Sequence, residues 1–178
     1  MTKFDTGTEL PDNFILTEEF EQTYKLINDT NTNLFITGKA GSGKSTLLEY
    51  FRQNTNKNFA TLAFQGITAI KAKGQTIHSF FKFPPHFITK ENIKELRDKK
   101  VIQNLDTILI DEISMVRADL FDAIDLSLKK NRNSNKPFGG VQIILFGDVM
   151  QIDPIVGADD EVMQKFYPGP FFFNSNSF

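Results

Sequence analysis

The residues best equipped for chemistry stand at 38–45, where Gly38-Lys39-Ala40-Gly41-Ser42-Gly43-Lys44-Ser45 completes the spacing G-x-x-x-x-G-K-[ST]. Glycines so placed let the backbone bend until its N–H groups converge on phosphate oxygens. The run Leu34-Phe35-Ile36-Thr37 before the loop reads as a strand, and Thr46-Leu47-Leu48-Glu49-Tyr50-Phe51 after it reads as a helix. That helix would turn its positive N-terminus toward the same anion. In this setting Lys44 reaches the β- and γ-phosphates and Ser45 ligates Mg²⁺, with Gly38 to Thr46 forming the cradle. The chemistry is the holding of a nucleoside triphosphate.

A second group of polar residues follows an apolar run. Ile108-Leu109-Ile110 empties into Asp111-Glu112. Asp111 at a strand end is placed to hold Mg²⁺ opposite the Lys44/Ser45 loop. Glu112, the next residue, points to the other side, where it can activate or orient an attacking water. Adjacent Asp and Glu are common on surfaces, so the pair gains meaning only from its place after a phosphate loop and an apolar strand. The pair favours a hydrolase-type NTPase over a small-molecule kinase. A third strand-like run, Ile143-Ile144-Leu145-Phe146, leads into Gly147-Asp148-Val149-Met150-Gln151. If that strand lies near the Asp111 strand, Gln151 reaches the γ-phosphate as a neutral hydrogen-bonding sensor. The plainer reading is a Gly-Asp turn with a solvated glutamine.

Residues 65–81 mix small residues, hydroxyls, bases and aromatics, a combination able to track a single nucleic-acid strand. Gly66, Thr68, Lys71, Lys73, Thr76, His78 and Phe80 are the candidate contacts. Taken singly, Phe80 reads better as core than as a stacking platform, and His78 has no second histidine at metal spacing. The charge distribution agrees with the strand reading. Residues 66–100 hold eight Lys/Arg against three acids, a balance of +5, whereas residues 106–161 hold five against eleven, a balance of −6. A solvated face of a Lys-rich helix would give the same numbers.

The elements that must position these groups are legible as alternating patterns. Residues 17–28 carry Phe20, Tyr24 and Ile27 at helical spacing, with Thr17 as N-cap and acids in the first turn. Apolar runs at 34–37, 59–64, 108–110 and 141–146 are short enough for buried strands. Helical candidates lie at 45–54, 68–72, 77–81, 90–103 and 118–130. Strands alternating with helices predict an α/β fold whose mainly parallel sheet is covered on both faces. Ligands of such sheets sit at the carboxyl ends of the strands. Pro84-Pro85 breaks the chain, and the basic segment after it reads as a small insertion. With 178 residues the chain suits one sizeable core; without cysteine it has neither disulfides nor thiolate chemistry. Residues 1–16 read as a flexible start. The absence of a signal peptide or long apolar run places the expected protein off the membrane, in the cytoplasm or, in a eukaryote, the nucleus or mitochondrion. The Phe-rich tail at 171–178 stops while still apolar, as a chain cut from a longer one would.

In this order the segments resemble the first RecA-like domain of superfamily 1 DNA helicases, on the RecD and Pif-type branch. Residues 38–45 match motif I. Residues 65–81 resemble motif Ia and its Gly-x-Thr-x-His-x-Phe extension. Ile110-Asp111-Glu112-Ile113-Ser114-Met115 resembles motif II, and Lys136-Pro137-Phe138-Gly139-Gly140 with Gly147-Asp148-x-x-Gln151 resembles the approach to motif III. The resemblance implies a P-loop NTPase of RecA-like, three-layer architecture over 17–178, with a small inserted subdomain at about 83–104. It implies ATP and Mg²⁺ as cofactors, single-stranded DNA as partner, and translocation normally 5′ to 3′ with duplex unwinding.

By the same resemblance, Lys44 and Ser45 meet phosphates and Mg²⁺, Asp111 the Mg²⁺, Glu112 the water and Gln151 the γ-phosphate. Gln22 is the nearest residue to an adenine-reading glutamine. A second RecA-like domain with transition-state arginines is expected beyond residue 178, so these residues alone are expected to bind nucleotide without unwinding. The chain departs from the family pattern in having Gln65-Gly66 for the usual Thr-Gly, and Gln151-Ile152-Asp153-Pro154 for Gln-Leu-Pro-Pro. The second change exchanges a rigid proline for an acid near the strand path. The competing readings are a P-loop ATPase module that regulates a protein partner and a stand-alone nucleotide-binding protein.

Overall fold

The computed structural model describes residues 10, 14–39, 41–150 and 153–178. Most of the start expected to be flexible, together with Ala40, Gln151 and Ile152, lies outside the described residues. Five strands form one sheet, β1 (Leu34–Thr37), β2 (Phe59–Ala63), β3 (Gln75–Thr76), β4 (Thr107–Asp111) and β5 (Gln142–Gly147), in the order β1-β5-β4-β2-β3. Every neighbouring pair is parallel. The helices are α1 (Glu18–Asp29), α2 (Lys44–Asn54), α3 (Gly66–Lys71), α4 (Ile77–Phe81), α5 (Lys99–Gln103), α6 (Ala118–Arg132) and α7 (Asp160–Phe166). Among the described residues no helix is long and apolar enough to cross a membrane.

Side-chain alternation along the strands divides the core in two. Leu109, Ile144 and Phe146 face α1 and α2, where Ile27, Leu47, Leu48 and Phe51 are buried. Ile108, Ile110, Ile143 and Leu145 face the other way, onto Phe121, Ile124 and Leu128 of α6. Both faces of β4 and β5 are therefore covered, which is why their sequences read as unbroken apolar runs. Thr17 caps α1 through a hydrogen bond accepted from the Phe20 backbone N–H at 3.3 Å.

The structure departs from the sequence reading in three places. β3 has two residues, too few and too polar to leave an apolar pattern. Its approach depends on Gly74, where a Cβ would stand 2.0 Å from the Thr61 carbonyl oxygen. Second, α7 had no clear signature. Third, the helix expected over 90–103 is a turn at Lys90–Asn92, an irregular stretch and the short α5.

Side chains of α6 capture that stretch. The Leu96 N–H donates to Asn131 Oδ1 at 2.8 Å, Lys130 Nζ to the Ile93 carbonyl at 2.7 Å, and Arg132 Nη1 to the Ile102 carbonyl at 2.6 Å. Phe83, Ile88, Ile93, Ile102 and Leu105 enter the core shared with α6. Residues 83–104, the stretch read as a small insertion, lie as a strap against the core shared with α6. Tertiary hydrogen bonds have overridden a weak local helix preference.

A buried ionic post anchors the strap at its start. Arg117, 6% exposed, makes a two-pronged contact with Asp119 (2.9 and 2.8 Å) and a third bond to Asp159 at 2.8 Å. Asp119 also accepts from the Ile88 N–H at 2.9 Å. The paired carboxylates hold the Arg117 pKa above its usual value despite the opposing cost of burial.

Candidate nucleotide site and its neighbours

Strand register brings the candidate residues to one edge of the sheet. Thr37 pairs with Gly147, Ile110 with Leu145, and Ala63 with both Asp111 and Thr76. The chain therefore leaves β1, β5, β4 and β2 along the same edge, and β5 lies between the strand of the phosphate loop and the strand of Asp111. The condition placed on Gln151, that its strand lie near that of Asp111, is met by β5. Gln151 itself lies outside the described residues.

In the loop, Gly41 (φ +80°) and Gly43 (φ +88°) occupy the left-handed region that a side chain disfavours. Gly43 immediately precedes α2, and its carbonyl accepts from the Leu47 N–H at 2.9 Å, so the turn passes directly into a helix N-terminus. The Lys44 ammonium is folded back on its own loop, donating to the Gly38 carbonyl, to the Lys39 carbonyl at 3.0 Å and to Ser42 Oγ at 3.4 Å. Lys39 and Ser45 are exposed, while Gly38 and Thr46 are half-buried. Ala40 lies outside the described residues.

Asp111 ends β4. Burial pushes its carboxyl pKa up; the Glu112 N–H, donating to Asp111 Oδ1 at 2.9 Å, pulls it down, and the Glu112 charge raises it again. The positive charge of Lys44 also reaches Asp111 and lowers its pKa. The loop lysine and the strand-end carboxylate therefore sense each other across the edge. One hydroxyl, one carboxylate and a neighbouring ammonium suit an Mg²⁺ that draws its remaining ligands from phosphate and water. Among the described residues no cluster of three or more His, Cys, Asp or Glu could hold a metal unaided.

Glu112 adopts φ +50°, ψ +48°, a left-handed conformation uncommon for a glutamate. It redirects the chain at the end of β4 and turns the side chain toward α3, where Thr68 Oγ1 donates to Glu112 Oε2 at 2.7 Å. The turn fits closely under β5, since a Cβ on Gly147 would lie 2.8 Å from Ile113 Cγ2. Asp148, just past β5, accepts from the Met150 N–H at 3.0 Å.

The seven residues expected to face a strand separate into two groups. Gly66 and Lys71 are exposed. The remainder are committed to the fold, wholly or in part. Thr68 is 6% exposed with its hydroxyl turned to Glu112. Lys73 pairs with Glu49 at 3.1 Å, and the Thr76 hydroxyl caps α4 by accepting from the Ser79 N–H at 3.2 Å. Phe80 packs edge-on to Phe81, as its plainer reading had it. His78 is half-buried beside Phe64, and burial, with Arg117 nearby, lowers its pKa. Gln22 is exposed on α1, its amide donating to Glu18 at 3.1 Å.

Sequence reasoning missed Arg52. From α2 it donates to Thr61 Oγ1 at 2.9 Å and to the Ala72 carbonyl at 2.8 Å, bracing the turn after α3 against the phosphate-loop helix. Its partners lie nine and twenty residues away, a separation that no local pattern encodes.

The profile of the PIF1-like helicases matches residues 15–166. The chain belongs to that family. It is 32% identical over 162 residues to the ATP-dependent DNA helicase RRM3 of Saccharomyces cerevisiae, covering 85% of this chain and 22% of that protein. It is 37% identical over 145 residues to the ATP-dependent DNA helicase Pif1 of a Psychrobacter species, covering 77% and 22%. Among solved structures, Pif1 helicase from Bacteroides in complex with ADP-AlF3 and single-stranded DNA superposes with a TM-score of 0.85 at 43% identity. That match covers 92% of this chain and 39% of the other. The chain thus spans about a fifth of these curated relatives and two fifths of that solved family member.

Proposed function

We propose that the chain is the ATP-binding motor domain of a DNA helicase. In the complete protein it would couple ATP hydrolysis to movement along single-stranded DNA, 5′ to 3′, and to duplex unwinding. The observation that carries this reading is the sheet edge itself. It sets a glycine-bent loop with Lys44 on one side of β5 and Asp111-Glu112 on the other. The family relationship, with relatives named as ATP-dependent DNA helicases and one solved with ADP-AlF3 and single-stranded DNA, supports the substrates.

The loop N–H groups and the α2 N-terminus would hold the phosphates, and Lys44 would leave its carbonyl partners for the β- and γ-phosphates. Ser45 and Asp111 would hold Mg²⁺, which when bound neutralises charge developing on the transferred phosphoryl group. Glu112 would orient and deprotonate the attacking water, and Gln151 would report the γ-phosphate. Gly66 and Lys71, both exposed, would offer contacts to the strand. A second RecA-like domain would add arginines worth about 10³ to 10⁵ in rate in related phosphoryl-transfer systems. The 178 residues alone are expected to bind Mg·ATP, turn it over slowly and leave duplexes intact.

Fluorescence anisotropy with a labelled single strand over a salt series tests the DNA assignment. Affinity should fall steeply with salt, and Lys71→Glu should weaken binding and flatten the slope by roughly one charge. Strand affinity indifferent to both salt and Lys71 would favour the protein-regulating module instead.

A further inference from the structure

A hydrogen bond links the segment expected to follow a strand directly to the carboxylate expected to activate water, and no sequence motif announces it. Thr68 lies in α3, within the segment expected to follow a nucleic-acid strand, yet it is buried and its hydroxyl donates to Glu112 Oε2 at 2.7 Å. Glu112 is fixed on its other side. Its left-handed backbone, its N–H bond to Asp111 and the tight fit of Ile113 under Gly147 leave the side chain facing α3. One carboxylate oxygen is therefore committed to α3.

Helix α3 is tied to its neighbours. The Gly74 N–H donates to the Ala69 carbonyl at 2.8 Å, β3 pairs directly with β2, and Thr76 caps α4. The Gly66–Lys71 helix also presents Ile67 and Ile70, 63% and 77% exposed, beside the exposed Lys71. A strand seated on this face presses on the same six-residue helix that holds Glu112.

We infer that Thr68 is a positioning residue whose hydroxyl ties the water-activating carboxylate to the strand-facing helix, so that nucleotide and strand occupancy are coupled through the Thr68–Glu112 bond. The inference rests on the proposed function. Coupling of this kind is reciprocal: whatever a bound strand does to the nucleotide site, nucleotide must do to strand affinity by the same factor.

The test is the ratio of single-strand affinities measured with and without Mg·AMP-PNP, using the 178-residue chain, which contains both partners of the bond. The parent should show a ratio of about 5 or more. Thr68→Val, which keeps the shape and removes the hydroxyl, should bring the ratio below about 2, while Thr68→Ser should restore most of it. Adding Thr68→Val to Glu112→Ala should change the ratio no further, because both remove the same bond. A fold defect in Thr68→Val would alter both affinities and their unfolding curve, and the serine variant separates that case by keeping the hydroxyl. A full ratio in Thr68→Val, or independent effects of the two substitutions, overturns the inference. A parent that binds both ligands with no coupling overturns this inference alone; one that binds neither overturns the proposed function as well.

Discussion

Two lysines at opposite ends of the same sheet make different use of the same donor chemistry. Lys57, just before β2, donates to the Ile27 carbonyl at 2.7 Å, the Thr30 carbonyl at 2.5 Å and Gln142 Oε1 at 2.8 Å. Those acceptors lie 27 to 85 residues away and bring together the end of α1, the start of β2 and the start of β5. Gln142 is itself held by Thr107 at 2.9 Å and the Thr32 carbonyl at 2.8 Å. Among the described residues Lys44, at the other end, donates to carbonyls and a hydroxyl of its own loop, no more than six residues distant. Releasing Lys57 would unpair three elements; releasing Lys44 would disturb one loop. A cation whose bonds are long-range belongs to the fold, and one whose bonds are local and partly exposed is free to be recruited by a ligand.

The comparison breaks first at Lys57. Lys57→Met should cost at least about 2 kcal/mol of unfolding free energy, because the acceptors it leaves are partly buried. Mg·ATP affinity should stay within about twofold. Urea denaturation and nucleotide titration of the same preparation would report both, and a stable Lys57→Met chain would remove the distinction between the two ends.

A smaller effect sharpens the active end. Burial raises the Asp111 pKa, so the folded protein keeps a proton there at a pH where the unfolded chain has lost it. That protonated form adds stability at low pH, and the contribution fades as pH rises through the raised value. Metal binding needs the ionised carboxylate, so the signs oppose: acidification should weaken Mg·ATP binding by a few-fold, beginning above the ordinary aspartate range. Since ATP also titrates, the comparison is with Asp111→Asn, whose weaker binding should change less with pH; parallel pH curves would count against Asp111 as the metal's carboxylate.

Much of this arrangement was legible before the fold. The runs 108–110 and 141–146 are apolar because both sheet faces are covered there, and their polar C-terminal exits marked the site. Loop 38–45 was legible because its glycines must take positive φ, as Gly41 and Gly43 do. What the sequence concealed depends on distant partners. Lys130 and Asn131 hold residues 93–98 out of the expected helix, and Lys73 and Thr68 turn inward to Glu49 and Glu112. A lysine or threonine in a basic, hydroxyl-rich segment looks the same whether it faces a strand or a buried carboxylate, since spacing records type and not direction.

The most direct test of a nucleotide site at the C-terminal sheet edge is calorimetric titration of Mg·ATP into the parent chain and Lys44→Ala. The parent should bind, and Lys44→Ala should lose at least about 100-fold in affinity, close to 2.7 kcal/mol, with its unfolding midpoint nearly unchanged. Equal affinities in the two proteins would contradict the account.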